Sequence, residues 1–388
     1  MTREELLALQ ERRARQALAA AARTPLWREL LGGADPATVP WESLPTTGRD
    51  LLSDRFADSV TDPALTLERV REHMRTRPGE PLDGYELFSS AGRTGRLAAF
   101  VYDRDAWDKY LGAVLRRFEP IGIARAQRVR VALVGTDDPA HTLPRTLTLF
   151  PRGAVFGLQG GLADCAEALG RFRPQALYGL SSAIAMLADE QLAGRLDIAP
   201  ELVLAGTDAL DGDARDRIRR AFGVEPHDSY ASTEGGLIAA ECAEHGGLHV
   251  NEDLVRLEPD HGGVLVTNLV NRVQPFVRYR VPDAVELDER PCACGAVSAR
   301  LRLRGGRSNR PWRLAGPGGE LVAVHPIVGR SALDALGAGP LSLRSDGGRL
   351  RVAVPSRMAG EARRRLGAAV ARAGADEACV MVVPEDGA

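Results

Sequence analysis

Residues 128–207 decide the fold: RVRVALVG (128–135), GGLADCAEALGRF (160–172), QALYGL (175–180), SSAIAMLADEQLAGRL (181–196) and ELVLAGT (201–207). Short apolar or β-branched runs alternate with longer segments whose apolar residues recur at helical spacing. Strand, helix, strand in that order predicts βαβ units and a largely parallel sheet.

Downstream, the helix DARDRIRRAFG (213–223) is followed by GGVLVTNL (262–269) and PFVRYRVPDAVEL (275–287), which short turns mark as antiparallel or mixed strands. Upstream, LLALQERRARQALAAAAR (6–23), a turn at Thr24-Pro25, WRELLGG (27–33) and DLLSDRFADSV (50–60) carry helical periodicity. After GGRSNRP (305–311) a tail begins, with GGRLRVAVP (347–355), the helix MAGEARRRLGAAVARAG (358–374) and the strand EACVMVV (377–383). The expected architecture is α/β. A large domain over 1–304, mainly helical to 84, carries mixed and parallel sheets flanked by helices, and a small α+β lobe over 305–388 follows a hinge.

Composition narrows the function. With 52 acidic against 50 basic side chains and a net charge of -2, no global field favours nucleic acid or an anionic membrane. The basic side chains are one lysine, Lys109, and 49 arginines, so a mechanism that needs a lysine has one candidate. No apolar run approaches the roughly 18 residues of a membrane span. The start, MTREELLALQERRARQ, lacks the features of a secretory signal, and five cysteines fit a reducing cytoplasm better than a disulfide scaffold.

Three loops carry chemistry. Phe88-Ser-Ser-Ala-Gly-Arg-Thr-Gly-Arg96 is rich in glycine and hydroxyls, which lets backbone amides and side chains converge on an anion, although the Walker spacing is absent. A plain turn is the competing reading. Asp228-Ser-Tyr-Ala-Ser-Thr-Glu-Gly-Gly236 sets a carboxylate beside a hydroxyl and a glycine pair, able to hold magnesium and touch phosphate, or to form a capped glycine turn. Arg278-Tyr-Arg-Val-Pro-Asp283 ends on an aspartate just past a strand, placed to accept two ribose hydroxyls or to sit in a surface turn.

In this order and at these intervals the loops resemble the adenylate-forming superfamily, and within it the phenylacetate–coenzyme A ligase-like and coenzyme F390 synthetase-like branch. The resemblance covers residues from about 85 onward. The family's phosphate loop lays Ser90, Gly92, Thr94 and Gly95 on matching positions, with Arg96 in place of the loop lysine and Ala91, Arg93 and Leu97 departing from it. Its Tyr-Gly-x-Thr-Glu motif falls on Tyr230, Ala231, Thr233 and Glu234, and its Tyr-Arg-Thr-Gly-Asp motif on Tyr279, Arg280 and Asp283. The resemblance implies phosphate contact at Thr233, magnesium at Glu234 and ribose at Asp283. It also implies a hinge at Gly306-Arg307-Ser308-Asn309, where Arg307 reaches the nucleotide. Near adenine, where the family has Gly-Gly-Glu, this chain has Gly206-Thr207-Asp208.

A fourth group, Cys242-Ala-Glu-His245 and His249 with Cys292-Ala-Cys294, has the residue types of a closed tetrahedral zinc site. Cys242, His245, Cys292 and Cys294 are the expected ligands, with His249 as the alternative to His245. Cys165 and Cys379 read as solitary buried thiols. His141, just past the strand ending at 135, is a candidate pocket residue, whereas His73, His227, His261 and His325 are scattered.

The implied reaction is ATP-dependent activation of a carboxylic acid, aromatic by resemblance, as an acyl-adenylate. Transfer follows to coenzyme A, a carrier thiol or an amine, with a homodimer left open. The family's catalytic lysine follows the last strand of the small lobe, where this sequence reads Val382-Val-Pro-Glu-Asp-Gly-Ala388. That departure keeps two alternatives: an acyltransferase using only the second half-reaction, and a non-catalytic nucleotide- or acyl-binding homologue.

Overall fold

The computed structural model describes residues 1–91, 97–304, 309–334 and 342–384, with all side chains in those ranges except those of residues 90, 91, 97, 121, 123 and 334. The chain divides into two compact units. One comprises Met1–Phe88, Ala99–Ile123 and His227–Arg307, the other Ser89–Ala98, Ala124–Pro226 and Ser308–Ala388.

Strands β1 (Glu86–Ala91) and β2 (Leu97–Tyr102) pair as a two-stranded sheet. In the second unit, β3 (Val131–Gly135), β4 (Gly153–Gly157), β5 (Ala176–Leu180) and β6 (Leu202–Gly206) form the expected parallel sheet, in the order β4-β3-β5-β6. Every residue of β3, β5 and β6 is buried, which is why these runs are continuously apolar and not alternating. Helices Leu162–Phe172, Ser181–Leu192 and Gly212–Phe222 cover them, joining Val134, Leu177, Ile184, Leu187, Val203 and Ile218 in one core. The last helix starts where Asp211 accepts from the Ala214 amide at 2.8 Å and stops at Gly223, whose φ of 73° suits glycine. At Gly179 the neighbouring strand comes so near that a Cβ would lie 1.9 Å from the Val134 carbonyl oxygen, so no larger residue fits.

In the first unit the helices Arg3–Ala21 and Pro25–Leu31 form as expected, DLLSDRFADSV forms two short helices, Arg49–Asp54 and Phe56–Ser59, and Leu67–Thr76 is a further helix. Two antiparallel sheets carry the site. The five-stranded one contains β7 (Ser229–Ser232), β8 (Gly236–Glu241) and β9 (Leu248–Val250), and the three-stranded one is β10 (Val255–Asp260), β11 (Gly263–Asn268) and β12 (Tyr279–Val281). With β13 (Val285–Asp288) and β14 (Arg300–Leu303) the larger sheet runs β13-β14-β9-β8-β7, so β7 and β12 are each the edge of their own sheet.

The tail supplies the hairpin β15 (Trp312–Ala315) and β16 (Leu321–Val324), then β17 (Ser342–Asp346), β18 (Arg349–Val354) and β19 (Val380–Pro384). β18 pairs parallel to β19 after the helix Ala359–Arg372, as the β-α-β reading expected, and Trp312, Leu314, Val352, Leu366 and Val370 form a core of their own. The arginines of that helix lie on its solvated face, with Arg364 and Arg365 paired to Glu361. Among the described residues no helix is long and apolar enough to cross a membrane.

Candidate functional site

The loop between β7 and β8 is fixed at its backbone and open at its side chains. A register shift between Tyr230 and Ala231 puts an irregularity into the pairing of β7 with β8, which resumes at Ala231 and Ser232, while Ser232 Oγ accepts from the Gly235 amide at 2.9 Å and Gly236 turns with a φ of 72°. The Tyr102 hydroxyl donates to the Thr233 carbonyl at 2.7 Å, and Asn268 Nδ2 donates to the Glu234 carbonyl at 2.9 Å. Burial, with the charge of Glu234 adding to it, pushes the Tyr102 hydroxyl far above its ordinary pKa, so it stays a donor. Glu234 is only 9% exposed, and its Oε1 accepts from the Tyr279 hydroxyl at 2.8 Å. Among the described residues Oε2 takes no hydrogen bond, and neither does the Thr233 hydroxyl. Held backbone with uncommitted oxygens is what a phosphate and cation site requires.

Asp283 follows β12, and its Oδ2 accepts from the Tyr230 hydroxyl at 2.9 Å. Arg278, in the left-handed region at φ 45°, is anchored through Glu258 Oε1 at 3.1 Å and turns the chain into β12. Arg280 points away to pair with Asp260. The sequence aligned Tyr279 and Arg280 together, but the structure joins only Tyr279 to Glu234.

In the second unit Gly206-Thr207-Asp208 begins on the last residue of β6, at the C-terminal edge where open α/β sheets bind ligands. Thr207, β-branched, sits at φ 66°, a strained conformation for such a residue. The Asp208 carboxylate is buried and committed: the Ser182 hydroxyl donates to it, and Asn309 Nδ2 donates at 3.2 Å. Burial raises its pKa. His325, one of the histidines read as scattered, completes this network. Its Nδ1 accepts from the Ile327 amide at 3.1 Å, which leaves the proton on Nε2, 2.7 Å from Ser182 Oγ. Hydrogen bonds thus run from imidazole to hydroxyl to carboxylate, the reverse of a nucleophile triad, where the imidazole accepts from the hydroxyl. No signal in the sequence joined residues 182, 208 and 325.

Burial, with the charge of Arg330 adding to it, lowers the His325 pKa from 6.5 to about 3. Between these values the unfolded chain holds a proton that the folded chain lacks, so this contribution to stability is full above pH 6.5 and declines as pH falls toward 3. Asp208, with its raised pKa, works in the opposite sense, so the comparison must isolate His325. Relative to a His325→Asn variant, the wild type is expected to lose ~2 kcal/mol between pH 7 and pH 5. Unfolding midpoints that run parallel in the two proteins across that range would contradict this.

The cysteine and histidine cluster is assembled with one correction. Cys242, His249, Cys292 and Cys294 present ligand atoms all within 4.8 Å of one another. His245, the ligand expected from its closeness to Cys242 in sequence, is instead in the turn at φ 49°. There its Nδ1 meets Glu241 Oε2 at 3.1 Å and its ring lies beside that of His227. Pairing of β9 with β8 and β14 sets His249 opposite Ala240 and Arg300, and so near the cysteine loop between β13 and β14. Cys242 Sγ and Cys292 Sγ lie 3.8 Å apart, Cys294 Sγ and His249 Nε2 3.4 Å, and His249 Nδ1 faces Ser298 Oγ at 3.2 Å. Burial raises the Cys242 thiol to about 11, while the Cys294 amide holds Cys292 low. Cys165 and Cys379 are buried and solitary, the former pushed up to about 12 by burial.

The Ser90 side chain, Gly92, Thr94, Gly95, Arg96 and Arg307 lie outside the described residues. His141 caps the helix Thr142–Arg145 through Nδ1, which accepts from the Leu143 amide at 3.1 Å, and burial lowers its pKa. Lys109 pairs with Asp105 one turn away on the helix Arg104–Arg116.

No family model matches the chain. One stretch is 28% identical over 149 residues to protein CapK of Staphylococcus aureus, covering 36% of this chain and 33% of CapK, so the match spans about a third of that relative. Among solved structures, 2-hydroxyisobutyryl-CoA ligase with 2-HIB-AMP and CoA in the thioesterification state superimposes with a TM-score of 0.62. Identity there is 17%, over 98% of this chain and 86% of that chain. The open conformation of that ligase gives 0.59 at 17% identity, over 98% of this chain and 88% of the ligase. Likeness at this level shows a shared fold.

Proposed function

We propose that this chain, which has the fold of the adenylate-forming ligases, activates a carboxylic acid with ATP and passes the acyl group to coenzyme A, a carrier thiol or an amine. Residues 1–304 would be the large domain and 305–388 the small lobe. The observation that carries this reading is the loop after β7, with Thr233 Oγ and Glu234 Oε2 uncommitted on a backbone held by Tyr102 and Asn268.

In the first half-reaction a carboxylate oxygen of the acid attacks the α-phosphorus of ATP as the bond to pyrophosphate breaks. In the second, the thiol or amine attacks the acyl carbon, the bond to AMP breaks, and the nucleophile's proton leaves to the phosphate group of the departing AMP or to water. Magnesium, bound with ATP, would neutralise polyphosphate charge. Glu234 offers it a hard carboxylate oxygen, Thr233 offers a hydroxyl to phosphate, and Asp283 offers an acceptor to the ribose diol. Ser90, Gly92, Thr94, Gly95, Arg96 and Arg307 join the nucleotide by resemblance, as do the backbone groups of Gly206-Thr207-Asp208. Positioning and charge neutralisation do most of the work in such chemistry. Resemblance alone points to an aromatic acid.

Exchange of labelled pyrophosphate into ATP, run across aromatic and aliphatic acids, tests the proposal. Acid-dependent exchange is expected. One observation favours the acyltransferase reading: the single lysine of these 388 residues is paired to Asp105, and transfer from a preformed adenylate needs no lysine. No exchange with any acid, together with transfer from a supplied adenylate or thioester, would establish that reading. Absence of both would leave a nucleotide- or acyl-binding homologue.

We also infer a structural zinc ion held by Cys242, His249, Cys292 and Cys294. A tetrahedral zinc with its usual bond lengths sets sulfur–sulfur edges of about 3.8 Å and sulfur–nitrogen edges of about 3.5 Å. The distances of 3.8 and 3.4 Å fit, and Ser298 on the far ring nitrogen would fix the histidine's orientation. With four protein ligands the site has no open position for chemistry. Well under one zinc per chain by elemental analysis of protein purified without chelator would contradict the assignment.

A further inference from the structure

The two loops of the first unit share a pattern that neither shows alone. Each has a tyrosine and, four residues on, a carboxylate: Tyr230 with Glu234, Tyr279 with Asp283. Neither tyrosine serves its own loop's carboxylate in the hydrogen bonds above. The Tyr230 hydroxyl donates to Asp283 Oδ2 at 2.9 Å, and the Tyr279 hydroxyl donates to Glu234 Oε1 at 2.8 Å. Both rings are buried, at 7% and 3% exposure, so they are rigid levers. The bonds cross between β7 and β12, each the edge strand of its own sheet, which no backbone ladder joins.

We propose that Tyr230 and Tyr279 are crossed positioning residues. Tyr230 sets Asp283 for the ribose, and Tyr279 sets Glu234 for the metal-bound polyphosphate. The proposal rests on the nucleotide-site reading above. Its physical basis is that a phenol hydrogen bond to one carboxylate oxygen fixes the plane of the group; at Glu234 that bond falls on Oε1, and Oε2 takes no hydrogen bond among the described residues. A hydrogen bond to a charged group is also among the stronger side-chain contacts.

The test is calorimetric binding to the full chain, with AMP as a ligand that needs no metal and ATP titrated at rising magnesium. Wild type, Tyr230→Phe and Tyr279→Phe are compared, since phenylalanine keeps the ring packing. Tyr230→Phe is expected to weaken AMP about tenfold. Tyr279→Phe should bind AMP within about twofold of wild type but need about tenfold more magnesium for half-maximal ATP binding. In an Asp283→Asn background Tyr230→Phe should cost little more AMP affinity, because the two changes act through one contact. Equal losses for both ligands in both variants would mean a structural brace and overturn the proposal. So would unchanged binding, or each tyrosine affecting its own loop's ligand. If either Phe variant unfolds, the Asp283→Asn cycle with Tyr230→His decides in the same way. A wild type that binds neither AMP nor ATP would overturn the nucleotide-site reading itself.

Discussion

Glu234→Gln is expected to lower acid-dependent pyrophosphate exchange about a hundredfold or more while leaving the fold intact. The glutamine oxygen can still accept from the Tyr279 hydroxyl, so the 2.8 Å bond has a replacement. What disappears is the negative charge at Oε2. Because a neutral amide holds a hard cation poorly, the loss should appear as a raised magnesium requirement as well as a reduced maximal rate. Glu234→Ala should abolish exchange and also lower the unfolding midpoint, since it removes the buried 2.8 Å hydrogen bond from the Tyr279 hydroxyl. Exchange at wild-type rate in Glu234→Gln, with unchanged magnesium dependence, would remove Glu234 from the chemistry.

The second large effect concerns the zinc site. Removing the metal with chelator, or replacing Cys292 with serine, is expected to destabilise the first unit by about 4 kcal/mol where free zinc exceeds its Kd a thousandfold. The ligand loop between β13 and β14 is largely exposed, with little apolar packing to hold it. His249→Ala should reproduce the loss of metal. His245→Ala should retain full zinc, because its imidazole is directed to Glu241. Equal zinc content in the His249→Ala and wild-type proteins, measured by elemental analysis, would contradict the ligand assignment.

The parallel sheet was readable from 128–207 because a strand covered on both faces must be apolar along its whole length, and β3, β5 and β6 are. The β-α-β tail was readable from the helical spacing of 358–374 set between two β-branched runs. The hairpin of β15 and β16 was not, since strands of four residues each are too short to carry a pattern. Within the candidate site, the order and spacing of the three loops marked Thr233, Glu234 and Asp283 by resemblance, whereas each loop taken alone also reads as an ordinary turn. Sequence could not say which oxygens are free. That depends on Tyr102 and Asn268, from distant segments, holding the loop's carbonyls.

What the amino-acid sequence determined by itself, then, was local: which runs are strands or helices, and which residues have the chemistry for phosphate, metal and ribose. These properties are fixed by side-chain type and by spacing along one segment. Tertiary structure decided every pairing across segments. It chose His249 over His245, although His245 is nearer Cys242 in sequence, because strand register sets cross-strand neighbours and a turn residue can face elsewhere. It also crossed Tyr230 to Asp283 and Tyr279 to Glu234, and brought His325 to Ser182 and Asp208. Spacing along the chain measures distance within a segment only; hydrogen-bond partners are selected by the packing that brings segments together.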